Sequence, residues 1–133
     1  MLRFILFFGL LWASSLDSLA QQFQNLGRVQ APANFENIHV QPLFQDSLSS
    51  GFVIFIKKEV KLHLHEHHTE SVYILEGYGE MIVENTLLNV KAGDYIFLPK
   101  NTPHAVYVKS EIPLKVLSIQ SPRFDGSDRI WLD

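Results

Sequence analysis

From position 38 onward, apolar and polar residues alternate in short runs broken by turn-forming residues. Ile38, Val40 and Leu43 recur at strand spacing around Pro42, which suits an edge strand, because proline cannot donate to a ladder. Phe52-Val53-Ile54-Phe55-Ile56 is a continuous apolar run, the pattern of a strand buried on both faces. Val60, Leu62 and Leu64 then alternate with Lys61, His63 and His65, a period of two. Further runs at 71–75, 80–84, 87–90, 95–98, 104–108 and 114–120 are separated by Gly77-Tyr78-Gly79, Asn85-Thr86, Lys91-Ala92-Gly93-Asp94, Pro99 to Pro103 and Ser110 to Pro113. Glycine, proline, asparagine and aspartate supply the backbone conformations that turns need. No internal repeat and no convincing helix follow residue 20. Short strands at regular spacing predict an all-β, single-domain antiparallel barrel or sandwich over 38–121.

The two ends read differently. Residues 1–20 have the three parts of a cleaved signal peptide: Arg3, an apolar stretch from Phe4 to Ala13, and Ser18-Leu19-Ala20 as a small-x-small cleavage site. That stretch is shorter than the ~20 residues a bilayer-spanning helix needs. The expectation is export to the periplasm or medium, with no membrane attachment once the leader is removed. Residues 21–37, rich in Gln and Asn, read as an irregular N-terminal arm. Residues 122–133 form a C-terminal tail in which Phe124, Ile130, Trp131 and Leu132 stand among charges. Apolar residues in a tail imply docking, either on the domain itself or across to a second copy.

The net charge of −3 is unchanged by loss of the leader, which carries one arginine and one aspartate. It offers no basic face for nucleic acid. With no cysteine, an exported chain has no disulfide framework, and its stability must come from the core.

The chemistry concentrates in His63 to Gly77, HLHEHHTESVYILEG, with four histidines and three glutamates. On a strand, His63 and His65 share a face with Cα atoms about 6.6 Å apart, close enough for two imidazoles to lean toward one cation. Glu70 opens the next strand and can reach back toward them. Two rival readings apply to the same residues. His63-Leu64-His65-Glu66-His67 matches the H-x-x-E-H of inverted zinc peptidases, which is a helical motif; the β-branched, alternating flanks and the lack of an apolar helical stripe weigh against it. A His-rich surface loop is the other rival.

The wider spacing separates these readings. His63, His65, Glu70 and Gly77 satisfy H-x-H-x4-E-x6-G, and Gly93, Pro99 and His104 satisfy G-x5-P-x4-H. In this order, the two motifs resemble the signatures of the cupin superfamily, over roughly 51–121. Asn101, Val108 and Lys57 replace residues usual in those motifs, and none of the three is a ligand position; Asn101 still tolerates a left-handed turn. The resemblance implies a jelly-roll barrel in which His63, His65, Glu70 and His104 bind one divalent transition metal (Fe, Mn, Ni, Co, Cu or Zn). Three imidazoles and one carboxylate suit such ions better than Mg or Ca and leave octahedral positions open. Small cupins commonly pair, so a homodimer is also implied.

Two functions remain open from the sequence: a small metalloenzyme of oxygenase or isomerase type acting on a small oxygen-bearing molecule, or a non-catalytic, metal-dependent module that binds a sugar or organic acid. A purely structural cupin, of the storage or interaction kind, is a third reading, and for the site itself the alternative is a closed metal that merely stiffens the barrel. The runs 52–56 and 95–98 are expected to wall a dry pocket. His67 and His68, in the turn between ligands, are expected to face solvent. His39 is expected outside the site, Tyr73, Tyr95 and Tyr107 among packing residues, and Glu76 and Glu80 in solvent.

Overall fold

The computed structural model describes residues 23–132, so the expected leader lies outside the described residues. Residues 23–37 hold one 3-10 turn, Leu26–Arg28, and otherwise no regular structure. Ten strands follow: β1 (Ile38–Gln45), β2 (Ser50–Ile56), β3 (Glu59–Leu64), β4 (Thr69–Glu76), β5 (Tyr78–Val83), β6 (Thr86–Lys91), β7 (Tyr95–Leu98), β8 (His104–Val108), β9 (Leu114–Ser121) and β10 (Ile130–Trp131). They pair antiparallel in two five-stranded sheets, β1-β2-β9-β4-β7 and β10-β3-β8-β5-β6.

The ladders do not close into the expected barrel. Each sheet keeps two edges, β1 and β7 in one, β10 and β6 in the other. Consecutive strands β6 and β7 belong to different sheets because the Ala92-Gly93-Asp94 turn, with Gly93 at φ +97°, carries the chain across. The architecture is a two-sheet antiparallel sandwich. As the proline implied, β1 is an edge strand, and its register slips between Pro42 and Phe44.

Between the sheets lies a core of Ile56, Val72, Ile74, Met81, Val90, Leu98, Val106, Leu114 and Val116. Each such side chain contributes roughly 1.5–3 kcal/mol when fully buried. The core is not uniform along its length. On β4 the inward residues read Ile74, Val72, Glu70, and their partners on β9 read Val116, Ser118, Gln120. On β8, Val106 gives way to His104. One end of the interlayer space is therefore aliphatic and the other polar, and the change follows the two-residue period of each strand.

Strand β3 departs from that period. Its register on β8 shifts between Val60 and His63. Val60 and His63 both face the interlayer cavity, although regular alternation would place them on opposite faces. The tail adds β10, which pairs with β3 (Ile130 with Leu64, Trp131 with His63). Phe124 of the tail is buried and meets Phe52 edge-on. Of the two fates expected for the tail, it takes docking on its own domain.

Candidate metal centre

His63 lies near the end of β3, His65 just beyond it, Glu70 near the start of β4 and His104 at the start of β8; all four are buried. His63 pairs directly with His104 across the β3–β8 ladder, and their ring centroids are 4.1 Å apart. The third ring, His65, lies 5.2 Å from His63 and 5.5 Å from His104.

Each imidazole is oriented by a backbone carbonyl. His63 donates from Nδ1 to the Lys61 carbonyl at 2.8 Å, and His104 donates from Nδ1 to the Thr102 carbonyl at 2.9 Å. Both bonds reach two residues back. The first spans the β3 bulge, and the second follows the loop where Asn101 takes φ +61°, the left-handed turn its side chain was expected to tolerate. His65 donates from Nδ1 to the Asp128 carbonyl in the tail. With Nδ1–H committed in all three rings, the bare nitrogen is Nε2, the atom a metal takes. One nitrogen from each ring lies within 4.8 Å of the others.

Glu70 closes the cluster. Its Oε2 is 3.4 Å from His65 Nε2 and 3.5 Å from His104 Nε2. Its Oε1 accepts from Ser118 Oγ at 2.5 Å and from Gln120 Nε2 at 3.5 Å. Burial would push the Glu70 carboxyl up, but hydrogen bonding from His104, His65 and Ser118 outweighs it and holds the group well below the carboxylate range. Burial, followed by the charge of His104, depresses His63 to about 4. At His65 burial is outweighed by Glu70 and the Asp128 carbonyl, so its pKa is raised.

The residues fit a metal. His65 Nε2 is buried without a hydrogen-bond partner, an arrangement that costs free energy unless something else satisfies the atom. The donors, imidazole nitrogens with a carboxylate alongside, suit a divalent transition ion. A cavity of about 90 Å³ opens beside them, its wall carrying His63, Glu70 and His104 at one end and aliphatic residues of both sheets elsewhere. The expected apolar run on β2 does contribute, through Ile54 and Ile56. The run on β7 does not: it is an edge strand whose Tyr95 and Phe97 point outward, and Val72, Ile74, Val106 and Val116 take its place.

His68 corrects another expectation. It is buried, not solvent-facing. His68 Nδ1 bonds the Asp128 carboxylate at 2.5 Å, and Nε2 lies 3.0 Å from the Arg123 carbonyl. Its neighbour His67 is exposed, as expected. The Asp128 carboxylate also accepts from the backbone N–H groups of Glu66 at 3.0 Å and His67 at 2.9 Å. Burial raises its pKa, but these hydrogen bonds prevail and hold it at about 2. Ser118, Gln120 and Asp128 carried no motif. The apolar residues of the tail were the only sequence signal that something from it would dock. His39 lies outside the cluster, Tyr73 and Tyr95 are exposed, Glu80 pairs at the surface with Lys109, and Glu76 pairs with the buried Lys115.

Known proteins resemble the chain in sequence and in fold. The profile of the cupin domain matches residues 52–120. The chain is 35% identical to an uncharacterised protein of Aquifex aeolicus over 98 residues, covering 74% of this chain and 80% of that one. A Klebsiella pneumoniae protein with a double-stranded β-helix domain superposes with TM-score 0.71 at 16% identity, covering 84% of this chain and 97% of the other. The quercetin 2,3-dioxygenase of Bacillus subtilis is 38% identical over 48 residues, 36% of this chain but only 14% of that enzyme. The chain belongs to the cupin family. Three buried histidines of the kind that hold a metal in this family are brought together between its sheets.

Proposed function

We propose that His63, His65, Glu70 and His104 bind one divalent transition metal, and that the protein is a small metalloenzyme of oxygenase or isomerase type acting on a small oxygen-bearing molecule. The observation that carries this reading is the bare, buried Nε2 of His65, aimed into a cluster whose other imidazoles are held in the same tautomer. A bound metal with open positions supplies Lewis acidity toward a ligand oxygen. The chain's own residues do the rest. Ile54, Ile56, Val72 and Val106 keep the cavity dry, and Ser118 and Gln120 hold Glu70 in place. Among the described residues, Glu70 is the only carboxylate on the cavity wall and so the candidate to take up a proton.

That shortage of acid–base groups favours a second reading, a metal-dependent binding module without turnover. Single alanine changes at the four residues, each followed by metal analysis, test the site: each is expected to lose most of the metal, and retention by all four sinks the reading. Oxygen uptake and isomer formation, screened with small diols, keto acids, phenols and sugars under each metal, separate enzyme from module. Binding without turnover under every metal leaves the module.

Export and pairing are carried as proposals too. The leader supports export with cleavage after Ala20, which N-terminal sequencing of exported material tests. Pairing rests on family habit, because the tail is engaged on its own β3; the solution mass tests it.

A further inference from the structure

Arg129 is brought to the cavity by the tail, one residue before β10, and shares its wall with His63, Glu70 and His104. It also borders a second cavity of about 440 Å³ lined by Gln120, Arg123 and Phe124, so it stands between the metal cluster and an outer chamber. Aromatic rings hold it there. Its guanidinium carbon is 5.9 Å from the Phe124 ring and 5.6 Å from the Trp131 ring. Those rings pack in turn on His65, at 5.4 Å, and on His63, at 5.3 Å.

Among the described residues no carboxylate pairs with this guanidinium, and its Nε is buried without a partner. The nearby acids are engaged elsewhere: Glu70 with Ser118 and the histidines, Asp128 with His68 and the Glu66 and His67 N–H groups, Asp125 with Ser127. A planar fork of donors, fixed in place and left unpaired on a largely apolar wall, is matched by a carboxylate, which accepts two parallel hydrogen bonds. The charge agrees. A divalent ion balanced by one glutamate, with a guanidinium beside it, leaves the pocket net positive. We propose that Arg129 recognises the carboxylate of a small organic acid bound at the metal cluster, and that the oxygen-bearing molecule is therefore a hydroxy or oxo acid. This inference rests on the metal site proposed above.

The test uses the full chain, metal-loaded, with two probe pairs in calorimetric titration: lactate against lactamide, and mandelate against mandelamide. Each amide has the shape of its acid without the charge. The acid of at least one pair is expected to bind roughly ten- to hundredfold more tightly than its amide, the range of a charge-assisted hydrogen bond. Arg129→Gln is expected to erase that preference while metal content stays at the parent level, and Arg129→Lys, which keeps the charge and the packing stem, to retain part of it. Indifference between acid and amide in both pairs, with metal bound, overturns the inference and leaves the metal site standing. So does a preference that survives Arg129→Gln. A purified chain that takes up no metal fails the earlier reading instead, a result the metal analysis reports separately.

Discussion

The loop from His65 to Thr69 and the tail from Pro122 to Leu132 meet face to face at one aspartate, yet the chain specifies them in opposite ways. The loop announces itself: histidines and a glutamate at strand spacing, bounded by apolar runs. The tail has no such pattern, but it supplies the carbonyl that orients His65, the carboxylate that caps the loop backbone, the buried Phe124 and the guanidinium in the cavity. The atoms a metal would touch come from the sandwich. What orients one of them, and what faces the ligand beside them, comes from the tail. A site can thus be marked by its donors and still draw much of its character from a segment that bears no mark.

The hardest way to break this pairing is to remove the tail's anchor. Phe124→Ala deletes a buried ring between His65 and His68 and is expected to cost about 3–5 kcal/mol. Loss should show as a lower thermal midpoint and a tail open to protease. An unchanged melt would mean the tail contributes little to the fold.

Asp128→Asn keeps the shape and removes the charge. It weakens the bonds to His68 and to two backbone N–H groups, for an expected loss of about 1.5–3 kcal/mol. Because the same residue's carbonyl orients His65, metal affinity should fall roughly tenfold, read by competition with a chelating dye. Stability lost with affinity intact would uncouple the two regions.

Acid should act on them in separate windows. Asp128 has a depressed pKa, so its stabilisation is complete above the unfolded value of 3.8 and disappears as pH falls through about 2. His65 has a raised pKa, so it holds a proton at pH values where a free imidazole has lost it; metal affinity should begin to fall on acidification from above 6.5, while the tail is still docked. His63, at about 4, remains neutral through that range. Titrating metal occupancy and near-ultraviolet signal together checks the order, and release of tail and metal in one step would contradict it.

The smallest effect is expected from His67→Ala. Its side chain is exposed, and only its backbone N–H meets Asp128. Metal content and melting should stay within error of the parent. A clear loss of metal would revive the helical, peptidase-like register.

How much was legible follows from range. His63, His65, Glu70 and His104 could be read because strand geometry converts i, i+2 spacing into a shared face, and the two motifs occur in order. Glycine and proline marked most turns. His68 and Asp128 could not be read, since a hydrogen bond spanning sixty positions leaves no trace in local periodicity. Arg129 is one of the charges in the tail, and nothing in its local pattern points to the interior. The barrel was expected where two open sheets formed, because closure requires that β7 pair with β6 and β1 with β10, and alternation within each strand is silent on that.

The slipped register in β3 has one further consequence. A strand is a wave of fixed wavelength, and one extra residue shifts its phase by half a cycle. Here the shift lets one strand serve the aliphatic half of the interior with Val60 and the polar half with His63. Removing Lys61 would restore an even wave and still leave His63 facing in. Adding a residue beside it would also give an even spacing and leave His63 facing in, but would carry it two residues past His104 on β8. Loss and gain at this point thus share a facing and differ in register, and metal content distinguishes them.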